Sequence, residues 1–143
     1  MKHKAAAAVF LAVWLCAAAS GQMPPGGEDP LARYLFAPDK VFGHAQEIGL
    51  DDAQRNAIRN EVQKAQKKFL DLQFDLQTES EKMTLLLQEK PVDEAKVLAE
   101  VDRVLALEKD IKKTHISLLI RIKNLLTAAQ QAKLSEIQKG LGR

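Results

Sequence analysis

A run of 38 residues without glycine or proline, residues 52–89, constrains the fold of this chain more than any other feature. A helix of that length extends about 57 Å at 1.5 Å per residue. Along it, positions recur at alternating steps of four and three, and only Glu79 among them is polar: Ile58, Val62, Ala65, Phe69, Leu72, Leu76, Glu79, Met83 and Leu86. This heptad pattern predicts a long helix that packs along one edge against a partner helix.

A second heptad helix follows the break at residues 90–92, Lys-Pro-Val. Proline disfavours helical backbone at the residue before it, and Asp93 is suited to cap the next helix. The same alternating steps continue through Val97, Val101, Val104, Glu108, Ile111, His115, Leu118, Ile122 and Leu125. Because so short a link forces the two helices to run antiparallel, we predict an all-α fold built on a long helical hairpin, without strands.

Short flanking helices are expected on both sides of the hairpin. Pro38 can open the first and Gly49 can close it, and the last covers about residues 128–138 and ends at Gly140. Between residues 115 and 127, apolar side chains point almost all round the helix, so it must be covered on more than one side. We therefore predict a homodimer, a dimeric four-helix cradle.

The first 21 residues are typical of an export signal. Two lysines precede residues 5–19, which carry no charge and are too short to cross a bilayer as a helix. A lipoprotein anchor at Cys16 is disfavoured because the bulky Leu15 directly precedes it. We predict a periplasmic protein with a signal peptide, a flexible linker and a helical-hairpin domain: 1–21, 22–37 and 38–138.

Composition excludes several classes of function. The chain has 21 basic and 19 acidic residues, and loss of Lys2 and Lys4 with the signal leaves a neutral mature protein. A sequence-independent nucleic-acid binder needs a surplus of cations, so no nucleic-acid partner is expected. The single cysteine also leaves with the signal, and the chain has neither a glycine-rich phosphate loop nor a Gly-x-Ser-x-Gly turn. We predict that the protein is not an enzyme.

Two similar helix starts lie 76 residues apart. Leu50-Asp51-x-x-Gln54 recurs as Leu126-Thr127-x-x-Gln130. In each copy the second residue can cap a helix, and the glutamine three residues later can reach back to the backbone N–H of that cap. The leucine before the cap is expected to dock on the core.

These two copies, on either side of a charged heptad hairpin, resemble the LTxxQ-motif family of periplasmic stress proteins. That family includes Spy- and CpxP-type chaperones together with zinc-resistance-associated and heavy-metal-sensor proteins. The second copy matches the motif fully, whereas the first carries Asp51 where the family often has threonine. The resemblance implies a four-helix protomer, antiparallel dimers shaped like a shallow cradle, no enzymatic turnover, and a role in envelope or metal stress.

The resemblance also implies a metal site in the metal-sensing branch of the family. The matching positions are His44, Glu61 and His115, which could hold zinc, nickel or cobalt with water completing the shell. The chain departs from the pattern at Lys40, which stands where a second histidine would be expected, and at Leu119, which has no sulfur to donate.

A structural interpretation of the same residues stays open. His115 would be a seam residue packed between Ala65 and Phe69, His44 a surface residue, and Glu61 a solvated helix charge. Our first functional prediction is a non-enzymatic, heavy-metal-responsive stress protein that biases a membrane-bound regulator or sequesters metal. The alternative is a Spy/CpxP-type holdase chaperone that binds unfolded client proteins, and a third interpretation is an inert coiled coil.

Overall fold

The computed structural model describes residue 31 and residues 34–141. Within that part it contains four helices and no strand: α1 Pro38–Gly43, α2 Asp52–Gln88, α3 Glu94–Leu125 and α4 Ala128–Leu141. The predicted all-α fold is confirmed. The predicted signal peptide, Cys16 and most of the predicted linker lie outside the described residues.

Helices α2 and α3 form the predicted antiparallel hairpin. Asp93 caps α3 as expected, because its Oδ1 accepts a hydrogen bond from the backbone N–H of Lys96 at 3.1 Å. All nine heptad positions predicted for α2 are buried or partly buried. None of the four helices in the described part is both long and apolar enough to cross a bilayer.

The seam of α3 differs from the predicted one at two positions. Glu108 and His115 are exposed, while Leu107 and Thr114 face the interior at those turns. The heptad pattern alone leaves the rotation of a helix about its axis uncertain by about one residue position, or about 100°. At the first turn, burying the unpaired charge of Glu108 would be unfavourable, whereas burying Leu107 removes apolar surface from water.

The apolar core lies at one end of the hairpin, where α2 begins and α3 ends. We call this the motif end, residues 36–65 and 114–141, and the opposite part, residues 66–113, the turn end. The buried apolar residues all belong to the motif end: Phe36, Val41, Ala45, Ile48, Leu50, Ile58, Ala65, Leu118, Ile122, Leu126 and Leu134.

The first and last helices both depart slightly from their predicted bounds. The segment opened by Pro38 is α-helical only to Gly43, continues as turns, and closes at Gly49 with a φ of 64°. Phe36, inside the range predicted as linker, is 2% exposed, so the core begins before α1. Helix α4 runs through Gly140 to Leu141, because one glycine near a helix end costs only about 1 kcal/mol.

Candidate functional site

Both motif copies form reciprocal helix caps. Asp51 Oδ1 accepts from the backbone N–H of Gln54 at 2.7 Å, and Gln54 Oε1 accepts from the backbone N–H of Asp51 at 3.3 Å. In the second copy, Thr127 Oγ1 accepts from the backbone N–H of Gln130 at 3.3 Å, and Gln130 Oε1 accepts from the backbone N–H of Thr127 at 2.9 Å. Each copy therefore satisfies backbone donors that a helix start leaves without partners.

The two motif glutamines also bind each other. The Nε2 of each donates to the Oε1 of the other at 2.9 Å, which closes a cyclic amide pair between Gln54 and Gln130. The second N–H of Gln54 goes to the carbonyl of Leu125 at 2.9 Å, and that of Gln130 goes to the carbonyl of Gly49 at 3.2 Å. Each of these carbonyls lies two residues before the other copy's cap. Every hydrogen-bonding position of both carboxamides is therefore used.

This glutamine clasp (Gln54 paired with Gln130) joins the start of α2 to the junction of α3 and α4. Gln130 is 8% exposed, and the leucines that precede the two caps, Leu50 and Leu126, are 7% and 5% exposed. The motif spacing predicts the two caps but not the pairing between them. A signal was present, because Gln54 and Gln130 lie almost equally far from the turn of an antiparallel hairpin.

The first of the predicted metal ligands, His44, follows directly after α1. Its Nδ1 lies 2.9 Å from Oε1 of Glu47, and its side chain is 25% exposed. A carboxylate on one ring nitrogen fixes the orientation of an imidazole, as it does for histidines that bind metals. The geometry of His44 is therefore compatible with coordination through its other nitrogen.

Glu61 lies on α2 and forms ion pairs with two cations. Its Oε1 accepts from Lys64 Nζ at 2.9 Å, and its Oε2 accepts from Arg121 Nη1 of α3 at 2.8 Å. These two hydrogen bonds, that of Lys64 first, hold the pKa of Glu61 below its ordinary value. A metal ion would have to compete with both of these cations for the carboxylate.

His115 lies on the exposed side of α3, with its ring centroid 6.4 Å from that of Phe69. Phe69 follows Glu61 by eight residues on α2, which is about 12 Å along the helix axis. Among the residues that the structure describes, no three His, Cys, Asp or Glu side chains are grouped so that they could hold a metal ion. The described chain does not assemble His44, Glu61 and His115 into one centre, and the metal site stays a prediction.

Comparison with protein families gives one match. The model of a family described as heavy-metal resistance matches residues 5–137, which include both motif copies and all three predicted ligands. The chain belongs to the heavy-metal resistance family. No curated protein and no solved structure matches it.

Family membership confirms the resemblance that was inferred from the two short motif copies. In this member of the heavy-metal resistance family, the motif residues act in the structure as caps and as the clasp between helices. Membership of a heavy-metal resistance family is consistent with a metal ion taking part in the function of this protein. The particular ligands and the metal belong to the proposal below.

A second polar cluster of this heavy-metal resistance protein lies at the turn end. Glu100 of α3 is 2% exposed and accepts a hydrogen bond from Arg103 at 2.6 Å, while Glu79 of α2 accepts one from Lys82. The pKa of Glu79 is lowered by a hydrogen bond from the Glu100 carboxyl group and by Lys82. The charge of Arg103, which forms its ion pair with Glu100 in its own helix, also lowers the pKa of Glu79. One oxygen of each carboxyl group is buried without any other partner among the described residues.

Proposed function

We propose that this protein is a non-enzymatic, periplasmic, heavy-metal-responsive stress protein that acts as a helical dimer. The observation that carries the proposal is the match to the heavy-metal resistance family over residues 5–137. The pattern of the first 21 residues supports export to the periplasm. Metal binding would bias a membrane-bound regulator or sequester the metal.

The contact between His44 and Glu47 supports His44 as the first ligand. With Nδ1 bound to the Glu47 carboxylate at 2.9 Å, the Nε2 lone pair of a neutral ring is available for zinc, nickel or cobalt. One histidine cannot complete a tetrahedral shell. We propose that His44 combines with donors from a second copy, for which the exposed His115 is available, and with water.

The test is a series of thermal melts with zinc, nickel, cobalt and copper. A metal that binds only the folded state stabilises it by about 2.7 kcal/mol at a hundred times its Kd, so the melting temperature rises with metal concentration. We expect the double variant His44→Ala, His115→Ala to lose this rise. A matched double variant at exposed positions of the same two segments, Gln46→Ala with Asn124→Ala, should keep it. Unchanged melting with every metal would remove the proposal.

The contribution of Glu61 is tested separately. If Glu61 leaves its ion pairs to bind metal, Glu61→Gln should lower metal affinity. If it stays with Lys64 and Arg121, Glu61→Gln should leave metal affinity unchanged. Glu47→Gln, which weakens the hydrogen bond that orients His44, should lower metal affinity in both cases. Sedimentation velocity with and without metal tests the dimer.

A second function, holdase chaperone activity, is favoured by exposed apolar side chains at the turn end. More than half of the surface of each remains exposed: Leu70, Phe74, Leu85, Leu87, Leu98 and Leu105. Where such residues form a contiguous patch, exposed apolar surface marks a site of protein interaction. Suppressed aggregation of a denatured client protein in the absence of metal, lost in Phe74→Ser with Leu85→Ser, would favour this function over metal sensing.

A further inference from the structure

A polar groove runs between α2 and α3 beside the core of the motif end. Its volume is about 350 Å³, and Ala65 and Leu118 form part of its wall. The charged side chains that line it are Lys64, Lys68, Lys113 and Arg121 with Glu61 and Asp110. Four cations against two carboxylates give the groove a formal charge of +2, although the mature chain as a whole is neutral.

Two of the four cations have no ion-pair partner among the residues that the structure describes. Glu61 neutralises part of the lining through its ion pairs with Lys64 and Arg121. Lys68 of α2 and Lys113 of α3 form no ion pair with any residue in the described part of the chain. Two unpaired ammonium groups therefore approach the groove from opposite helices.

A buried hydroxyl group completes the lining. Thr114 is 8% exposed, and its Oγ1 has no hydrogen-bond partner among the described residues. Hydroxyls of α2 and α4 donate to the carbonyl four residues earlier, as Thr78 does to Phe74 at 3.0 Å and Ser135 does to Gln131 at 2.9 Å. Among the described residues, neither hydroxyl of α3, Thr114 nor Ser117, makes such a bond. Buried hydroxyl groups normally find a partner. Thr114 Oγ1 exposes less than 1 Å² of surface, so it reaches an acceptor in the groove when its side chain turns toward a bound ligand.

We propose that this groove binds a divalent oxyanion of the phosphate class. Lys68 and Lys113 supply the two charges, and Thr114 donates a hydrogen bond to one of the oxygens. A phosphate group carries about −1.5 to −2 at pH 7, which matches the formal charge of the groove. Lysine is a common phosphate ligand because its ammonium group acts as a point charge with three donors.

Calorimetric titration of the mature protein with inorganic phosphate and with sulfate tests the proposal. We expect both anions to bind, and the double variant Lys68→Gln, Lys113→Gln to bind at least about tenfold more weakly. The matched control is Lys67→Gln, Lys112→Gln, which changes net charge equally at exposed positions outside the groove and should retain affinity. Thr114→Val should weaken binding, Thr114→Ser should restore it, and Asp110→Asn should tighten it.

The same variants identify the source of the phosphate group. Binding to vesicles that contain phosphatidic acid, whose headgroup is a phosphomonoester, would assign the ligand to a lipid headgroup if the Lys68/Lys113 variant loses it. Phosphate binding without vesicle binding would assign it to a soluble phosphate compound. If the wild type binds neither anion at millimolar concentration, or if both lysine pairs weaken binding equally, the proposal is overturned. Circular dichroism of each variant separates lost binding from lost folding.

Discussion

The two ends of the hairpin are built from the same heptad pattern but hold together differently. At the motif end, eleven apolar residues from α1, α2, α3, α4 and the segments between them are buried in one cluster. At the turn end, residues 66–113, Glu100 alone is buried, and the two helices meet along a single line of partly buried side chains. Two helices in contact can cover only one edge of each other, whereas the flanking segments cover the motif end from further sides.

Most of the stabilising buried area lies at one end of the hairpin, and most of the exposed apolar surface lies at the other. Burial of apolar area is the main favourable contribution to folding, and it is concentrated at the motif end. The turn end leaves apolar residues such as Phe74 and Leu85 62% and 65% exposed. Regions with few buried contacts open with a small free energy. The motif end therefore holds the fold together, whereas the turn end leaves apolar surface for the client binding proposed above.

The largest expected effect on stability is that of a leucine-to-alanine substitution at the motif end, which we compare with the same substitution at the turn end. Leu134→Ala removes a residue that is 1% exposed at the motif end and should lower the free energy of unfolding by about 2–5 kcal/mol. Leu105→Ala removes one that is 54% exposed at the turn end and should change it by less than about 0.5 kcal/mol. Urea unfolding followed by circular dichroism measures both. Equal losses would contradict the division between the two ends.

The next effect concerns the glutamine clasp. Gln130→Ala leaves the amide of Gln54 and the carbonyl of Gly49 without their partners and should cost about 1–3 kcal/mol. A double-mutant cycle with Gln54→Ala should give a coupling energy of about 0.5–3 kcal/mol. The control, Gln66→Ala, lies on the exposed face of α2 and should be nearly neutral. Additive losses would show that the two caps act independently and that the clasp contributes little.

The smallest effect is a pH dependence at the turn end. Because the pKa of Glu79 is lowered in the folded state, its contribution to stability is present above the ordinary carboxyl pKa. That contribution is lost as pH falls through the lowered value. Acidification should therefore lower the hydrogen-exchange protection factors around Glu79 and Glu100, once the slower intrinsic exchange of amides in acid is taken into account.

The matched variant, Glu79→Gln, removes this part of the acid response. The contributions of Glu61 and Asp93, whose pKa values are lowered in the same direction, should remain in that variant. The Glu79 interpretation would fail if exchange at the turn end responded to acid identically in Glu79→Gln and in the wild type. Hydrogen exchange at the motif end provides the internal reference for both proteins.

Local and periodic features of the chain were predictable because they depend on neighbours in sequence. The bounds of α2 and α3, the caps at Asp51, Asp93 and Thr127, and the buried edge of α2 all follow from capping chemistry and heptad spacing. The family resemblance rests on the same local signals, since the motif is itself a helix cap.

Tertiary structure decided what depends on the rotation and register of one helix against another. Successive residues of a helix are about 100° apart around its axis. A rotation of α3 by less than that angle places Thr114 inside and His115 outside. The register brings Arg121 to Glu61, so that a residue expected to bind metal is paired with cations instead. Heptad spacing is nearly the same for neighbouring registers, so only the packing of the whole hairpin and its flanking segments selects among them.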